Sequence, residues 1–372
     1  MVFHEQPSPK PLSQKEGKSL EGSPNPELAE QQLCSGFDTI LENLKKHPDL
    51  LQAQIERLKS LPDNNNILGK FIPYFTEAHW ETTAVLEAYD KPTFDHSLRV
   101  ASFVYNLTSG GGETEAYIRN RVDMEESSLE ELFTAALFHD IGKTAIPHSL
   151  LHDNHSRREW ARRANEWAKK NDSEHYFDPL KVEESSEVDL DHYFMQVYTE
   201  DALDPINIVP IEEVFNSETL TELSRHGISL QDTFRKVLEC HEKATKAILR
   251  RQKMYVASDI ASHHHDYEKR PIRLERYQTE VSAVRLGFEL SLLRSMDLFD
   301  ALTSDDRSYK NPYHPLLALE ILIREAEAEF TEPELTKYVV RDLYAKIQST
   351  EKNETLSPAE TRAQEKIQTF IA

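Results

Sequence analysis

The string FTAALFHDIGK, residues 133–143, contains two adjacent side chains that can bind a metal ion, His139 and Asp140, followed by Lys143. The apolar residues before His139 recur at helical spacing, so the His-Asp pair shares a helix face with groups that should be buried. A carboxylate directed into an apolar core is costly unless it is paired or bound to a metal ion. The pattern therefore predicts a metal site inside a helical core.

Further candidate ligands occur in other predicted helices. His96 and His241 each lie on or beside an apolar stripe, and Asp297 ends another. The string ASHHHDYEKRP, residues 261–271, contains three consecutive histidines, of which one or two can reach a common site. Taken singly, each histidine could be a hydrogen-bonded core residue or part of a solvated helix end, and Asp297 an exposed acid. Together, the nitrogen and oxygen donors suit borderline divalent ions such as iron, manganese or zinc.

Capping signals predict the ends of two helices that carry these residues. Thr93 is predicted to be the N-cap of the helix with His96, which stops in a Ser-Gly-Gly sequence. Ser128 and Glu131 are predicted to form a capping box in front of the helix that leads to His139. Gly142 is predicted to stop that second helix at its C-terminus.

Five stretches resemble, in order, the HD phosphohydrolase superfamily, and more closely its HD-GYP subgroup of bacterial cyclic di-GMP phosphodiesterases. They are DHSLRVA, LFHDIGKTAIPHSLL, CHEKATKAIL, ASHHHDYEKRP and MDLFDALTSDDRSYK. These stretches cover residues 90–155 and 228–325. The resemblance implies an all-α fold, a helical bundle around a binuclear metal site.

The resemblance also implies two divalent ions, each with its own ligands. The ligands of the first ion would be His96, His139, Asp140 and Asp297. Asp140 would bridge to a second ion, whose other ligands would be His241, His264 and His265, leaving His263 as the odd one out. Iron or manganese is the expected metal, with zinc, magnesium or nickel as alternatives.

Substrate contacts follow from the same resemblance. Lys143 would touch the scissile phosphate, while Arg307 and Lys310 in the DRSYK string would bind other substrate phosphates. Arginine suits that role because its planar guanidinium pairs with phosphate oxygens.

Three features depart from the HD-GYP pattern. The Gly-rich GYP loop that should follow the paired histidines is replaced by the shorter HHDYEKRP, which has neither Gly nor Tyr-Pro. Pro92 stands where some members carry a glutamate for a third metal ion, so two ions are expected. Asp140 and His241 are 101 positions apart, which indicates an insert between them.

Composition and charge narrow the class of partner. Of 372 residues, 43 are basic and 65 are acidic, which gives a net charge of -22. This balance argues against a duplex nucleic-acid partner, because binding to phosphate backbones needs a basic surface. A small phosphorylated substrate, such as a nucleotide or cyclic dinucleotide, is still compatible. The sequence shows no membrane span or signal region and has two unpaired-looking cysteines, so we expect a cytoplasmic protein, compatible with a homodimer.

The chain is predicted to have four parts. Residues 1–26 should be a disordered tail, and residues 27–87 a helical region that packs on the bundle or serves as a dimerising or sensory element. Residues 88–330 should form the catalytic domain, with the insert at about 152–226, and residues 331–372 a C-terminal helix and tail. The insert begins with the basic stretch SRREWARRANEWAKK, which fits either a separate helical subdomain or a lid whose arginines cover phosphate.

The expected activity is hydrolysis of a phosphodiester in a cyclic dinucleotide or related nucleotide, by attack of a hydroxide held between the two ions. In this scheme Asp140 and Lys143 are the catalytic residues. One alternative is a signalling or binding module of the same fold whose site no longer turns over, which the missing GYP loop favours. Another is a di-iron oxygenase on the same scaffold, which the phosphate-suited DALTSDDRSYK string disfavours.

Overall fold

The computed structural model describes most of the chain, apart from residues 1–25 and several internal segments. The described ranges are 26–61, 67–121, 126–152, 155–171, 176–185, 190, 205–225, 228–265, 283–305, 312–350 and 356–372. Within them, regular structure is helical, and the only β-type pairing is one isolated bridge between Pro210 and Thr233. The predicted all-α fold is therefore confirmed.

Helices α1 to α7 build the first half of the bundle. They are α1 (Pro26–Lys45), α2 (Pro48–Lys59), α3 (Ile67–Phe71), α4 (Glu77–Tyr89), α5 (Lys91–Ser109), α6 (Glu113–Arg121) and α7 (Glu126–Phe138). A 3-10 turn, Ile141–Ala145, follows α7.

Shorter helices follow in the middle of the chain. They are α8 (His148–Leu151), α9 (Arg157–Lys170), α10 (Pro179–Glu184), two 3-10 turns (Pro205–Asn207 and Ile211–Glu213), α11 (Ser217–Arg225) and α12 (Phe234–Leu238). The bundle is then completed by α13 (Cys240–Arg251), α14 (Tyr255–Ala261), α15 (Ala283–Thr303), α16 (Pro315–Glu327), α17 (Pro333–Thr350) and α18 (Pro358–Ile371).

The predicted caps of α5 and α7 were wrong. The N-cap of α5 is Asp90, whose Oδ2 accepts hydrogen bonds from the backbone N–H and the hydroxyl of Thr93 at 2.9 and 2.6 Å. Helix α7 begins at Glu126, so Ser128 lies inside its first turn. The carboxylate of Glu131 accepts instead from the backbone N–H of Ala257 at 3.1 Å, so this acid joins α7 to α14.

Gly142 also has a different role from the predicted helix stop. Helix α7 ends at Phe138, and Gly142 lies inside the following 3-10 turn. A Cβ on Gly142 would overlap the backbone oxygen of His241, because the 3-10 turn packs directly against α13. The Gly142 N–H donates to the Thr245 hydroxyl at 3.0 Å. Glycine is therefore required for close contact between two backbones rather than for a turn.

The N-terminal helices pack on the bundle, which is one of the roles predicted for residues 27–87. Cys34 and Phe37 on α1 are buried in the same apolar core as the later helices. At Gly36, an added Cβ would overlap the backbone oxygen of Thr144. Helix α1 thus lies against the 3-10 turn that follows the His-Asp pair.

A second apolar cluster lies in the middle of the chain, separate from the main core. It includes Ile146 and Leu150 before the predicted insert, Trp160 within it, and Phe234 and Val237 after it. The described residues of this small core lie between Ile146 and Val237, so it extends beyond the predicted insert on both sides.

The segment expected to be a polar C-terminal tail instead contains helix α18. Ser357 and Glu360 form a capping box at its start, and Ala363 and Ile367 are buried against the main core. Across the described part of the chain, no helix combines the length and apolar character needed to cross a membrane.

Candidate metal centre

The seven predicted metal ligands come together inside the bundle. They form three overlapping groups in which all donor atoms lie within 4.8 Å of one another. The groups are His96, His139 and Asp297; then His139, Asp140 and His264; then His241, His264 and His265. His263, the odd one out in the sequence, is in none of these groups.

Five parts of the bundle supply these side chains. His96 lies in the second turn of α5, and Asp297 lies on α15. His139 and Asp140 occupy the break between α7 and the 3-10 turn, where the helical register ends. His241 lies in the first turn of α13, and His264 lies in the turn that follows α14. Only tertiary packing brings these elements together, since His96 and Asp297 are 201 positions apart.

The carboxylate of Asp140 faces two sets of imidazoles, one with each oxygen. Oδ2 lies 3.4 Å from Nε2 of His139 and 3.7 Å from Nε2 of His96. Oδ1 lies 3.6 Å from Nε2 of His241 and 4.0 Å from Nε2 of His264. A carboxylate in this position can contact two cations at once.

Backbone carbonyls orient three of the imidazoles. Nδ1 of His139 bonds to the backbone oxygen of Ala136 at 2.9 Å, and Nδ1 of His264 to that of Ala261 at 2.5 Å. His241 makes the same contact with Leu238. A carbonyl oxygen only accepts, so each Nδ1 must carry the proton and each neutral ring presents a lone pair at Nε2.

These lone pairs fit a divalent cation. Nε2 of His139 is fully buried and has no hydrogen-bond partner. Nε2 of His241 faces Nε2 of His264 at 3.4 Å, although two neutral acceptors at that distance repel one another. A buried polar atom without a partner is costly, and metal coordination would satisfy all three nitrogens.

Asp300 was not predicted, and it positions His96. Its Oδ2 accepts from Nδ1 of His96 at 2.7 Å, while Nε2 of the same ring faces Asp297 Oδ1 at 3.0 Å. Arg99 in turn donates to both oxygens of Asp300, at 2.7 and 3.0 Å. A carboxylate that holds the far nitrogen of a ligating histidine fixes its tautomer and raises its basicity.

Residues 93–188 match the family model of the HD domain. The matched segment includes His96, His139, Asp140 and Lys143, and the match supports the HD metal-dependent phosphohydrolase superfamily. Members of this family are generally metal-dependent hydrolases. Neither the curated proteins nor the solved structures gave a match to this chain.

Electrostatics around this centre favour positive charge among its donor atoms. Burial lowers the pKa of His241 to about 4 and that of His264 to about 3, which keeps both rings neutral. Burial alone would raise the pKa of Asp140 and Asp297, but neighbouring cationic groups hold both carboxyls well below their usual range. Burial opposes charge on His139 too, yet the two carboxylates raise its pKa to about 10. The centre thus attracts positive charge.

Lys143 lies at the border of this centre. Its ammonium is 2.5 Å from Asp140 Oδ2, and a quarter of its side chain is exposed. This position lets the ammonium contact a ligand that enters from solvent. The other two predicted phosphate contacts, Arg307 and Lys310, lie outside the described residues, as does the segment that replaces the GYP loop.

Proposed function

We propose that this protein is a metal-dependent phosphohydrolase, specifically a phosphodiesterase that acts on a cyclic dinucleotide or a related nucleotide. The observation that carries the proposal is the division of Asp140 between two sets of imidazoles, His96 and His139 on one oxygen and His241 and His264 on the other. This arrangement suits two adjacent cations. Many enzymes that cleave phosphate esters use a pair of metal ions in this way.

Each ion would have a distinct donor set. The first set would be His96, His139, Asp140 and Asp297, and the second Asp140, His241, His264 and His265. Imidazole and carboxylate donors suit iron or manganese, the metals we propose, and also zinc. When bound, such ions act as Lewis acids and lower the pKa of coordinated water.

The protein side chains would bind and orient the substrate. The ammonium of Lys143, at the border of the centre, would pair with an oxygen of the scissile phosphate and stabilise the charge that develops there. Arg307 and Lys310 would bind more distant phosphates of the same substrate. Asp300 would act through His96, whose ring it holds in position.

Cyclic dinucleotides are the proposed substrate class because the five stretches from DHSLRVA to MDLFDALTSDDRSYK resemble, in order, the HD-GYP subgroup. The replacement of the Gly-rich loop supports a changed preference among such substrates. The alternative is a non-hydrolytic binding module of the same fold, and the complete set of buried ligands favours the enzyme over it. A di-iron oxygenase could use a similar donor set, so the test also measures oxygen consumption.

The test supplies the chelator-treated protein with iron or manganese and offers a panel of cyclic dinucleotides, linear nucleotides and an aryl phosphodiester. We expect metal-dependent release of a phosphomonoester product from at least one member of the panel. The Asp140→Ala variant serves as the inactive control, and Asp49→Ala, which changes an exposed acid on α2, as the active one. Metal loading without any product would favour the binding module, and oxygen consumption would favour the oxygenase.

A further inference from the structure

A second group of metal-binding side chains lies outside the centre described above. It consists of Asp90, the N-cap of α5, and of His148 and His152, which begin and follow the short helix α8. The three donor atoms lie within 4.8 Å of one another and share no residue with the HD-domain centre. The resemblance to HD-GYP proteins assigns no role to these residues.

Both imidazoles converge on one oxygen atom. Nε2 of His148 and Nε2 of His152 lie 3.2 and 2.9 Å from Asp90 Oδ1. The spacing of four positions places the two rings on one face of a helical turn, with centroids 4.2 Å apart. The other carboxylate oxygen is already used by Thr93, so Oδ1 is the one directed at the rings.

The carboxylate of this group is buried and its two imidazoles are exposed, which suits a metal site that is open to water on one side. The Asp90 side chain is only 4% exposed, and its position is fixed by its role as helix cap. The side chains of His148 and His152 are 59% and 39% exposed. Water can therefore reach the open side of the group and complete a coordination shell. Exposed imidazoles can also bond to water freely, so hydrogen bonding alone gives little reason for both to meet at one buried oxygen.

The distances also suit a small cation. Ligand atoms about 2.0–2.2 Å from a tetrahedral zinc ion lie roughly 3.3–3.6 Å apart. The separations of 3.2 and 2.9 Å between the nitrogens and Asp90 Oδ1 are within a few tenths of an ångström of that range. Small rotations of the two exposed rings would supply the difference.

We propose that Asp90, His148 and His152 form a separate site for a zinc-class divalent cation, with water as the remaining ligand. The ion would join the start of α5 to the chain that leaves the 3-10 turn Ile141–Ala145. Because His96 lies on α5 and His139 precedes that turn, the second site would brace two elements of the HD-domain centre. Its function would be structural and regulatory through zinc supply, not catalytic.

The test measures zinc binding to the full chain by equilibrium dialysis and elemental analysis at neutral pH, after removal of bound metal with a chelator. We compare the wild type with the double variant His148→Gln/His152→Gln and with Asp90→Asn. Asparagine is also a good N-cap, so Asp90→Asn removes the anionic ligand while the helix start is retained. The exposed His47→Gln variant controls for loss of a histidine.

The wild type and His47→Gln should bind one zinc ion per chain more than either site variant. Zinc should also raise the melting temperature of the wild type more than that of the double variant, while the two proteins melt alike in chelator. Equal zinc content in the wild type and the double variant would overturn the proposal. Unchanged zinc binding by Asp90→Asn would show that the Asp90 carboxylate is not a ligand and would overturn the three-ligand assignment.

Discussion

The two oxygens of Asp140 contact different histidines, so its removal should affect both halves of the donor set. We expect Asp140→Ala to lose bound metal and activity together, because the remaining imidazoles and Asp297 carry too little negative charge for two adjacent cations. Elemental analysis of the purified variant measures the loss, with Asp49→Ala as the control. Retention of two ions per chain would show that Asp140 does not bridge.

Asp300 should act through its hydrogen bond to Nδ1 of His96. We expect Asp300→Asn to weaken metal binding by about 10–100-fold, the usual cost of losing the partner of a ligating histidine. Competition with a chromophoric chelator measures the affinity. The variant Asp95→Asn, which changes a partly exposed acid on the same helix as His96, should match the wild type. Wild-type metal affinity in Asp300→Asn would show that Asp300 only forms an ion pair with Arg99 and does not support metal binding.

Lys143 should contribute to turnover and not to metal binding, because a protonated ammonium cannot ligate a cation. We expect Lys143→Ala to lower kcat by about 10²–10³-fold, as for other preorganised donors of charge stabilisation, with metal content unchanged. Steady-state kinetics on any substrate found in the panel measures the loss, with Lys91→Ala as the control. An unchanged kcat would leave Lys143 with only its contact to Asp140.

Among the helices, α4 contains a group whose protonation should couple stability to pH. Burial lowers the pKa of His79 to about 4, and its Nδ1 accepts from the backbone N–H of Thr76 in a capping box. In the unfolded chain this histidine has a pKa of about 6.5, so between pH 6.5 and 4 the unfolded state binds more protons. The stabilisation from neutral His79 is complete above pH 6.5 and is lost as the pH falls toward 4.

The variant His79→Gln tests this coupling, since glutamine preserves the capping box but does not titrate. On acidification from pH 6.5 to 4, the melting temperature of the wild type should fall further than that of the variant, by on the order of 2–4 °C. Both proteins are melted in chelator, so that loss of metal does not contribute. If the melting temperatures of the two proteins fell equally with pH, the coupling would not be due to His79.

Helical periodicity predicted which histidines and aspartates face inward, because apolar neighbours at spacings of three and four define the buried face. It did not find Asp300, since the partner of that carboxylate is 204 positions away and no local pattern reveals the contact. The role of Gly142 was misassigned for the same reason. The backbone that approaches it belongs to His241, on another helix.

Local signals also failed where two capping residues compete. Thr93 and Asp90 are both residue types that cap helix N-termini well. In the structure Asp90 is the N-cap of α5, because its carboxylate accepts hydrogen bonds from the N–H and the hydroxyl of Thr93. In the C-terminal segment, Ala363 and Ile367 are the buried residues of α18. Two apolar positions in a polar sequence give only a weak helical periodicity, so the helix was not predicted. The Ser357–Glu360 capping box was the one sequence signal of its start.

At the scale of the whole molecule, three arginines of the insert have partners within it. Arg162 pairs with Glu183, Arg158 contacts the backbone of Ser185, and Arg163 donates to the backbone of Glu213 at 3.2 Å. These contacts support the subdomain interpretation of the insert over the phosphate-binding lid.

We therefore expect Arg162→Gln/Arg163→Gln to leave KM for a phosphorylated substrate within about twofold of the wild-type value, because surface ion pairs contribute little and neither residue would touch the substrate. The melting temperature should fall slightly. Kinetics with a nucleotide substrate and with the aryl phosphodiester measure the effect. A selective increase in KM for the nucleotide would support the lid instead.

The long separation of His96 and Asp297 also has a consequence for biosynthesis. Ribosomes add about 5–20 residues per second, so roughly 10–40 s pass between the synthesis of these two side chains, which are 201 positions apart. Until α15 emerges, a nascent chain exposes several histidines without the carboxylate that completes their donor set. Correct metallation would thus have to wait until α15 has been made, and a premature stop codon before α15 would yield a chain that binds metal ions loosely and in the wrong number.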